Sequence, residues 1–309
     1  MQPAPRIAAL GEVLWDLLPD GPALGGAPAN FAATLAGLMR GDDPDVEPVA
    51  LISSVGEDAR GEAALKQLRA RSISTGWIVR DAKHPTGTVE VALHHGVAQY
   101  TICNGVAWDF IPCDPQLLAL APQFDALYFG TLAQRSPVSR VTLRALIEAT
   151  RPNCLRVLDV NLRAPWWTPE ILRWSCGVAT VVKMSEEEIP ALLEALELNG
   201  APQEAVDAAQ TLLQRFPVAL VAITRGAQGS LLVSRDAVIE EPGVQVEVID
   251  TIGAGDAFTA GLTYGLLRDA RLQQAAVLAN RCGAWAASQA GGMPPMSAVD
   301  RNRLVAGIF

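Results

Sequence analysis

Short apolar runs recur along the chain between amphipathic stretches, and this alternation constrains the fold more than any other feature of the sequence. Val49–Val55, Ala126–Phe129, Arg156–Val160, Thr180–Val182 and Val218–Thr224 are the runs. Continuous apolar segments of this length, bounded by turn residues, suit strands buried on both faces. Arg60–Arg71, Ser136–Thr150, Ser185–Leu198, Pro202–Phe216, Ala257–Ala270 and Leu272–Gln289 have helical spacing, and Pro28–Arg40 reads as a small-residue helix with proline in its first turn. Strands alternating with helices predict an α/β fold of three layers, α/β/α, around a mostly parallel sheet. Ile7–Trp15 reads as the first strand, interrupted by Glu12, rather than as a signal peptide. Thr88–Leu93 and Gln99–Ile102 alternate polar and apolar residues around a turn, which is the pattern of a half-exposed antiparallel hairpin. Such a hairpin is either a lid or an extension of the sheet edge. Ser230–Val233, Ala237–Glu240 and Val244–Val248 read as a second antiparallel set at a sheet edge. With no repeat and no linker, the 309 residues read as one domain, 1–309.

Charge and cysteine usage narrow the function. The formal net charge is −9, whereas a nucleic-acid or anionic-membrane partner requires a basic footprint. No apolar stretch reaches the roughly 18 residues that mark a membrane span. Five scattered cysteines without a C-x-x-C pair, and only three histidines, fit neither a disulfide framework nor a zinc site. Free thiols in a reducing compartment place the chain in the cytoplasm. Lysine occurs only at Lys66, Lys83 and Lys183. No Gly-Lys pair exists, so the P-loop is absent, as are G-x-G-x-x-G, H-E-x-x-H, G-x-S-x-G and the His-Arg-Asp of protein kinases.

The densest chemical signal is Asp250-Thr-Ile-Gly-Ala-Gly-Asp256, directly before a helix rich in small residues. Glycines at a helix start let several backbone N–H groups converge on one point, and the positive helix end adds to them, which makes an anion site. The same dipole is expected to hold Asp256 ionised. An ionised carboxylate beside an anion hole can accept an alcohol proton while a phosphoryl group arrives. An ordinary helix cap reads the same way, so the company of this motif matters. Thr224-Arg-Gly-Ala-Gln-Gly229 ends a buried strand, at the edge where α/β sheets bind ligands. Gly25-Gly-Ala-Pro-Ala-Asn30 enters a helix and brings backbone and an amide side chain close to a ligand. Asp16 ends the first strand and can accept sugar hydroxyls, although a solvated loop aspartate reads alike.

These glycine motifs, Gly25–Asn30 and Asp250–Asp256, resemble the paired signatures of the ribokinase-like (PfkB-type) carbohydrate kinases, and the resemblance runs from Gly11 to about Met296. Gly11-Glu-Val-Leu-Trp-Asp16, Gly105-Val-Ala-Trp-Asp109, Phe129-Gly-Thr-Leu132 and Asp159-Val-Asn-Leu-Arg163 are most similar to bacterial fructokinases. The resemblance implies a ribokinase-like fold with a β lid from 12–24 and 84–106, with ATP, Mg²⁺ and a monovalent cation such as K⁺ as cofactors. Asp256 would be the general base. Gly253, Ala254 and Gly255 would form the anion hole, and Arg163 would neutralise charge passing to the leaving group. Asp16, Gly26, Asn30, Gln99 and Ile102 would hold the sugar. Asn161, Lys183, Ser185, Thr224, Gly226, Gly229 and Asn280 would bind ATP. Glu188 would hold Mg²⁺ through water, and Asp250, Ile252 and Gly291 the monovalent cation. The partners implied are a small sugar and ATP, and a homodimer paired through the lids.

This sequence departs from the family pattern in two places. The family's Asn-x-x-Glu element appears as Ser185-Glu-Glu-Glu188, a hydroxyl replacing the amide. Leu132 or Gln134 stands where ribokinase-like members carry an acidic sugar contact, which argues against ribose. The leading expectation is therefore transfer of the γ-phosphoryl group of ATP to a primary hydroxyl of a ketohexose, with fructose first. A 2-keto-3-deoxygluconate kinase is the alternative within the family. A non-catalytic sugar or nucleotide sensor is the alternative outside enzymology, and a nicotinamide oxidoreductase fails on the missing fingerprint.

Overall fold

The computed structural model describes residues 6–18, 21–40, 48–94, 97–198 and 204–309, with only the backbone of 91–94 and 97–100. The chain starts with β1 (Ile7–Leu10), β2 (Leu14–Leu18), β3 (Gly21–Gly25), α1 (Ala27–Met39), β4 (Val49–Gly56) and α2 (Ala59–Arg69). Two short strands, β5 (Ile73–Ser74) and β6 (Ile78–Asp81), precede the hairpin β7 (Gly87–His94) and β8 (Val97–Ile102). Alternation then takes over: α3 (Pro115–Leu120), β9 (Ala126–Gly130), α4 (Pro137–Ala149), β10 (Leu155–Asp159), α5 (Pro169–Val178), β11 (Val181–Ser185), α6 (Ile189–Ala195), α7 (Ala205–Arg215) and β12 (Leu220–Thr224). The last part is the antiparallel pair β13 (Gly229–Ser234) and β14 (Val238–Pro242), followed by α8 (Ala254–Leu267), α9 (Leu272–Ala287) and α10 (Ala298–Val305).

Ten strands form one sheet in the order β14-β13-β12-β11-β10-β9-β1-β4-β5, with β6 also on β4. From β12 to β5 every pairing is parallel. The strands alternate their side chains between two cores, as the pleat requires. Ile7 and Ala9 of β1 join Tyr128 and Val157 against α1, α8 and α9. Ala8 and Leu10 join Phe129 and Leu158 against the helices of the other face. Both layers exclude water from the parallel strands, which is why these runs read as continuously apolar.

The expected first strand, Ile7–Trp15, divides between two sheets. Pairing of β1 ends where Gly11 N–H donates to the Ile52 carbonyl and Ser53 Oγ donates to the Gly11 carbonyl. β2 then pairs antiparallel with β3 and parallel with β7 in a separate four-stranded sheet, β3-β2-β7-β8. The hairpin is therefore part of a distinct small sheet, not an extension of the large one. Val244–Val248 is not a strand. Its alternating valines imitate one, but β14 is the outermost strand of the sheet, and Val244, Val246 and Val248 lie exposed.

Candidate active site

β1, β10, β11 and β12 all end at the same edge of the large sheet, and the small sheet rises beside it. A cleft of about 710 Å³ lies there, lined by Glu12, Asp16, Gly26, Asn30, Ile102, Asn161, Arg163, Lys183, Ile252, Gly253, Gly255 and Asp256 among others. A second cleft of about 290 Å³ is lined by Thr224, Gly226, Gly229, Val244, Val246, Ala254, Phe258 and Asn280. Thr251 and Gly255 line both. The two cavities therefore meet at the first turn of α8.

That turn is built by its own sequence. Asp250 fixes the approach, its Oδ1 accepting the Ile252 N–H at 2.9 Å and its Oδ2 the Gly291 N–H at 3.0 Å. Gly253 caps the helix in the left-handed region, φ +78°, where a β-carbon would stand 2.6 Å from the Gly292 carbonyl oxygen. Ala254 N–H donates to the Thr251 carbonyl at 3.2 Å. Among the described residues no hydrogen bond engages the amides of Gly253, Gly255 or Asp256, as expected for the start of a helix. Of the three amides expected in the anion hole, that of Ala254 is thus engaged, while those of Gly253 and Gly255, and that of Asp256 beside them, are not.

Asp256 is 8% exposed and accepts a hydrogen bond from Asn30 Nδ2 at 2.8 Å. Its carboxyl is pushed up to about 7, first by burial and then by the charge of Asp159. The expectation that the helix dipole holds it ionised is thereby corrected, because desolvation and a like charge outweigh half a unit of dipole charge. A carboxyl that titrates near neutrality is suited to accepting a proton. Asp16, half-buried on β2, is likewise raised, to about 6, by burial and then by the charge of Asp250. Glu12 is 5% exposed; Ala27 N–H donates to its Oε1, and burial raises its carboxyl.

Behind Asp256 the ladder places Asp159 opposite Lys183, on the face that packs against α8. Burial acts to lower Lys183, but the charges of Asp159, Asp256 and Glu188 overcome it and hold the ammonium charged. Asn161 sits in a left-handed conformation, φ +37°, just past β10, and Arg163 is exposed at the cleft. Glu188 accepts the Leu162 N–H at 2.6 Å and the Ser185 N–H at 2.7 Å, tying this loop to the turn after β11. Ser185 and Glu188 line neither cleft; they support the loop that does. Asn280 donates to the Glu241 and Pro242 carbonyls and so holds the wall of the second cleft. Gln99 lies on β8 opposite Ala92, and its side chain falls outside the described residues. Leu132 faces the first cleft, whereas buried Gln134 donates to Gly130 and Ser175.

Several lining residues carry no role in the motif reading: Glu12, Thr251, Trp166, and Asp159 behind them. Glu12 had a sequence signal, a carboxylate interrupting an apolar strand. Trp166, one of the tryptophans expected to pack in the core or line a cleft, lines this one; the Arg135 guanidinium lies over its ring and over that of Trp108 and forms a two-pronged ion pair with Asp109. Among the described residues no three His, Cys, Asp or Glu cluster as a metal cage. Glu188 keeps a lone pair on each oxygen, which fits a magnesium ion held chiefly by phosphate and water. No helix among the described residues is long and apolar enough to cross a membrane.

Residues 22–298 match the family of pfkB carbohydrate kinases. The fructokinase of Klebsiella pneumoniae is 32% identical over 309 residues, covering 93% of this chain and 95% of its own. The fructokinase of Vibrio cholerae O395, solved with fructose, ADP and calcium ion bound, aligns at a TM-score of 0.79 and 27% identity, covering 98% of this chain and 99% of that one. A sugar kinase of Pyrococcus horikoshii in complex with ATP aligns at a TM-score of 0.79 and 28% identity, covering 96% and 99%.

Proposed function

The chain belongs to the pfkB family of carbohydrate kinases, and from that premise we propose that it is an ATP-dependent fructokinase-like enzyme acting on a primary hydroxyl of a ketohexose. One observation carries the reading: a buried carboxyl, Asp256, stands beside free helix amides where two clefts meet. The sugar occupies the larger cleft and ATP the smaller, so the γ-phosphoryl group lies over the first turn of α8. The hydroxyl oxygen bonds to phosphorus as the bond to the bridging oxygen of ADP breaks, and the hydroxyl proton passes to Asp256. The free amides and Arg163 face the charge that develops on the phosphoryl oxygens. Asp16, Gly26 and Asn30 orient the sugar. Magnesium bound with ATP, near Glu188, would neutralise phosphate charge. Asp250, between Ile252 and Gly291, offers the negative charge a monovalent cation needs. The small sheet acts as the lid over the sugar, through Leu14, Asp16, Val89, Thr101 and Ile102.

A neutral sugar suits the cleft better than a sugar acid. Arg163 and Lys183 are the only cations lining it among the described residues; Lys183 is already paired, and Arg163 is given over to the phosphoryl group in this reading. A burial site for a substrate carboxylate would need a free cation beside Asp16 and Asn30. The fructose-bound relative supports the same choice.

The test is an ADP-release assay on fructose, ribose and 2-keto-3-deoxygluconate, with and without Mg²⁺ and K⁺. Fructose is expected to lead kcat/KM by about tenfold or more, the discrimination that a few polar contacts supply. Faster turnover of the keto-acid would reassign the substrate, and binding without ADP release would make the protein a sensor. Asp256→Asn should lose about 10² or more in kcat while ATP affinity stays within a few-fold. Retention of more than about a tenth of turnover refutes the base assignment.

A further inference from the structure

Lys183 is the one buried lysine; Lys66 and Lys83 are exposed. Its Nζ lies 3.0 Å and 3.2 Å from the two oxygens of Asp159, which is itself wholly buried. Apolar residues of similar size would fill this space without desolvating two charges, so packing alone does not account for the pair. The pair is also fitted to α8. A β-carbon on Gly255 would stand 3.0 Å from the ammonium, so glycine lets the first turn close down on it. One turn further on, Thr259 Oγ lies 3.3 Å from Asp159 Oδ2 and 2.9 Å from the Gly255 carbonyl. Tyr128 of β9 brings its hydroxyl to 3.5 Å from the same oxygen.

Among the described residues, the charges that act most strongly on Asp256 come from the sheet side, while Arg163 and Asp16 line the same cleft. Asp159 reaches it from β10, Lys183 from β11 and Glu12 from the segment after β1, while Asn30 of α1 supplies the neutral hydrogen bond. Tyr128 faces it from β9. Asp159 and Lys183 act on its proton with opposite sign: the carboxylate favours the protonated form and the ammonium the ionised form.

We propose that the Asp159–Lys183 ion pair is a positioning device for the general base, holding the first turn of α8 from below and setting the pH at which Asp256 gives up its proton. The proposal rests on Asp256 being the base of a sugar kinase. It assigns work to Asp159, which lines neither cleft, and moves Lys183 from the nucleotide to the base. Two opposed charges, locked at a fixed distance beneath the turn, keep the base from being captured by a lone ammonium or permanently protonated by a lone carboxylate.

The experiment follows the acid limb of kcat at saturating fructose and ATP in the full-length enzyme, where a filled sugar cleft keeps Asp16 out of the profile. Asp159→Asn leaves the ammonium facing Asp256 alone, and the limb is expected to move to lower pH by about one unit or more. Adding Lys183→Met in that background removes the only remaining cation from the pair and should move the limb back up by about one unit or more. A purely structural role would lower kcat in both variants with the limb unmoved, and that result overturns the proposal. So does an Asp159→Asn protein that fails to fold while the double variant folds, because a base facing the ammonium would neutralise it. Wild-type enzyme that turns over no sugar would instead overturn the kinase reading beneath it.

Discussion

As the proposed base, Asp256 would serve activity at the expense of stability. Its carboxyl is raised to about 7, and Asp16 to about 6, both first by burial. Activity needs the ionised base, so kcat/KM for the sugar should fall with unit slope below about pH 7 and more steeply below about pH 6, because Asp16 then loses its charge as well. A pH–rate profile checks both breaks. The stability effect has the opposite sign. A carboxyl bound to its proton more tightly in the folded chain than in the unfolded one, where it titrates near 3.9, weakens the fold as pH rises from about 4 to about 7. Asp256→Asn should therefore raise the melting temperature most at pH 8 and progressively less as the pH falls toward about 4, by calorimetry. The motif made this residue legible, since glycines before a helix and an acid in the first turn are local features. Its charge state was not legible, because Asp159 and Glu12 reach it from segments far away in the sequence.

The turn that carries Asp256 depends on a conformation that side chains rarely adopt. Gly253 has φ +78°, and a β-carbon there would meet the Gly292 backbone at 2.6 Å. Gly253→Ala combines a left-handed penalty of about 1–2 kcal/mol with a clash against main chain that cannot swing aside. The expected outcome is a melting temperature lower by several degrees and turnover down by at least about tenfold, checked by thermal denaturation and the ADP-release assay. Elements were legible where burial is uniform, as in β9 to β12. They were misread where a local pattern meets a tertiary decision. Ile7–Trp15 is continuous in sequence, yet it changes sheets after Gly11 because the chain stops pairing with β4 and joins β7. The valines of Val244–Val248 alternate as a strand would, but among the described residues no strand lies beyond β14 to pair with them.

At the scale of the whole molecule the two sheets divide the clefts between them. The large sheet and the α8 packed on it carry Asp256, the amides of its first turn and the loops of the second cleft, and the small sheet supplies one wall of the first. If the small sheet closes over bound sugar, water is excluded from the phosphoryl group and ATP hydrolysis is suppressed. Sugar and nucleotide together should then slow amide hydrogen exchange in β2 and β7 by about tenfold or more, with β9–β12 nearly unchanged. Equal protection of both sheets would show a rigid wall instead of a lid. The sequence by itself determined the α/β alternation, the helix that begins at the glycine pair, and the carboxylate in its first turn. Those are properties of spacing over a few residues. Only the tertiary structure decided that Asn30 hydrogen-bonds a carboxylate 226 residues away, that Lys183 lies under Gly255, and that two clefts share one turn. Burial and the distance between charges belong to the folded arrangement, and these two quantities set how readily Asp256 takes a proton.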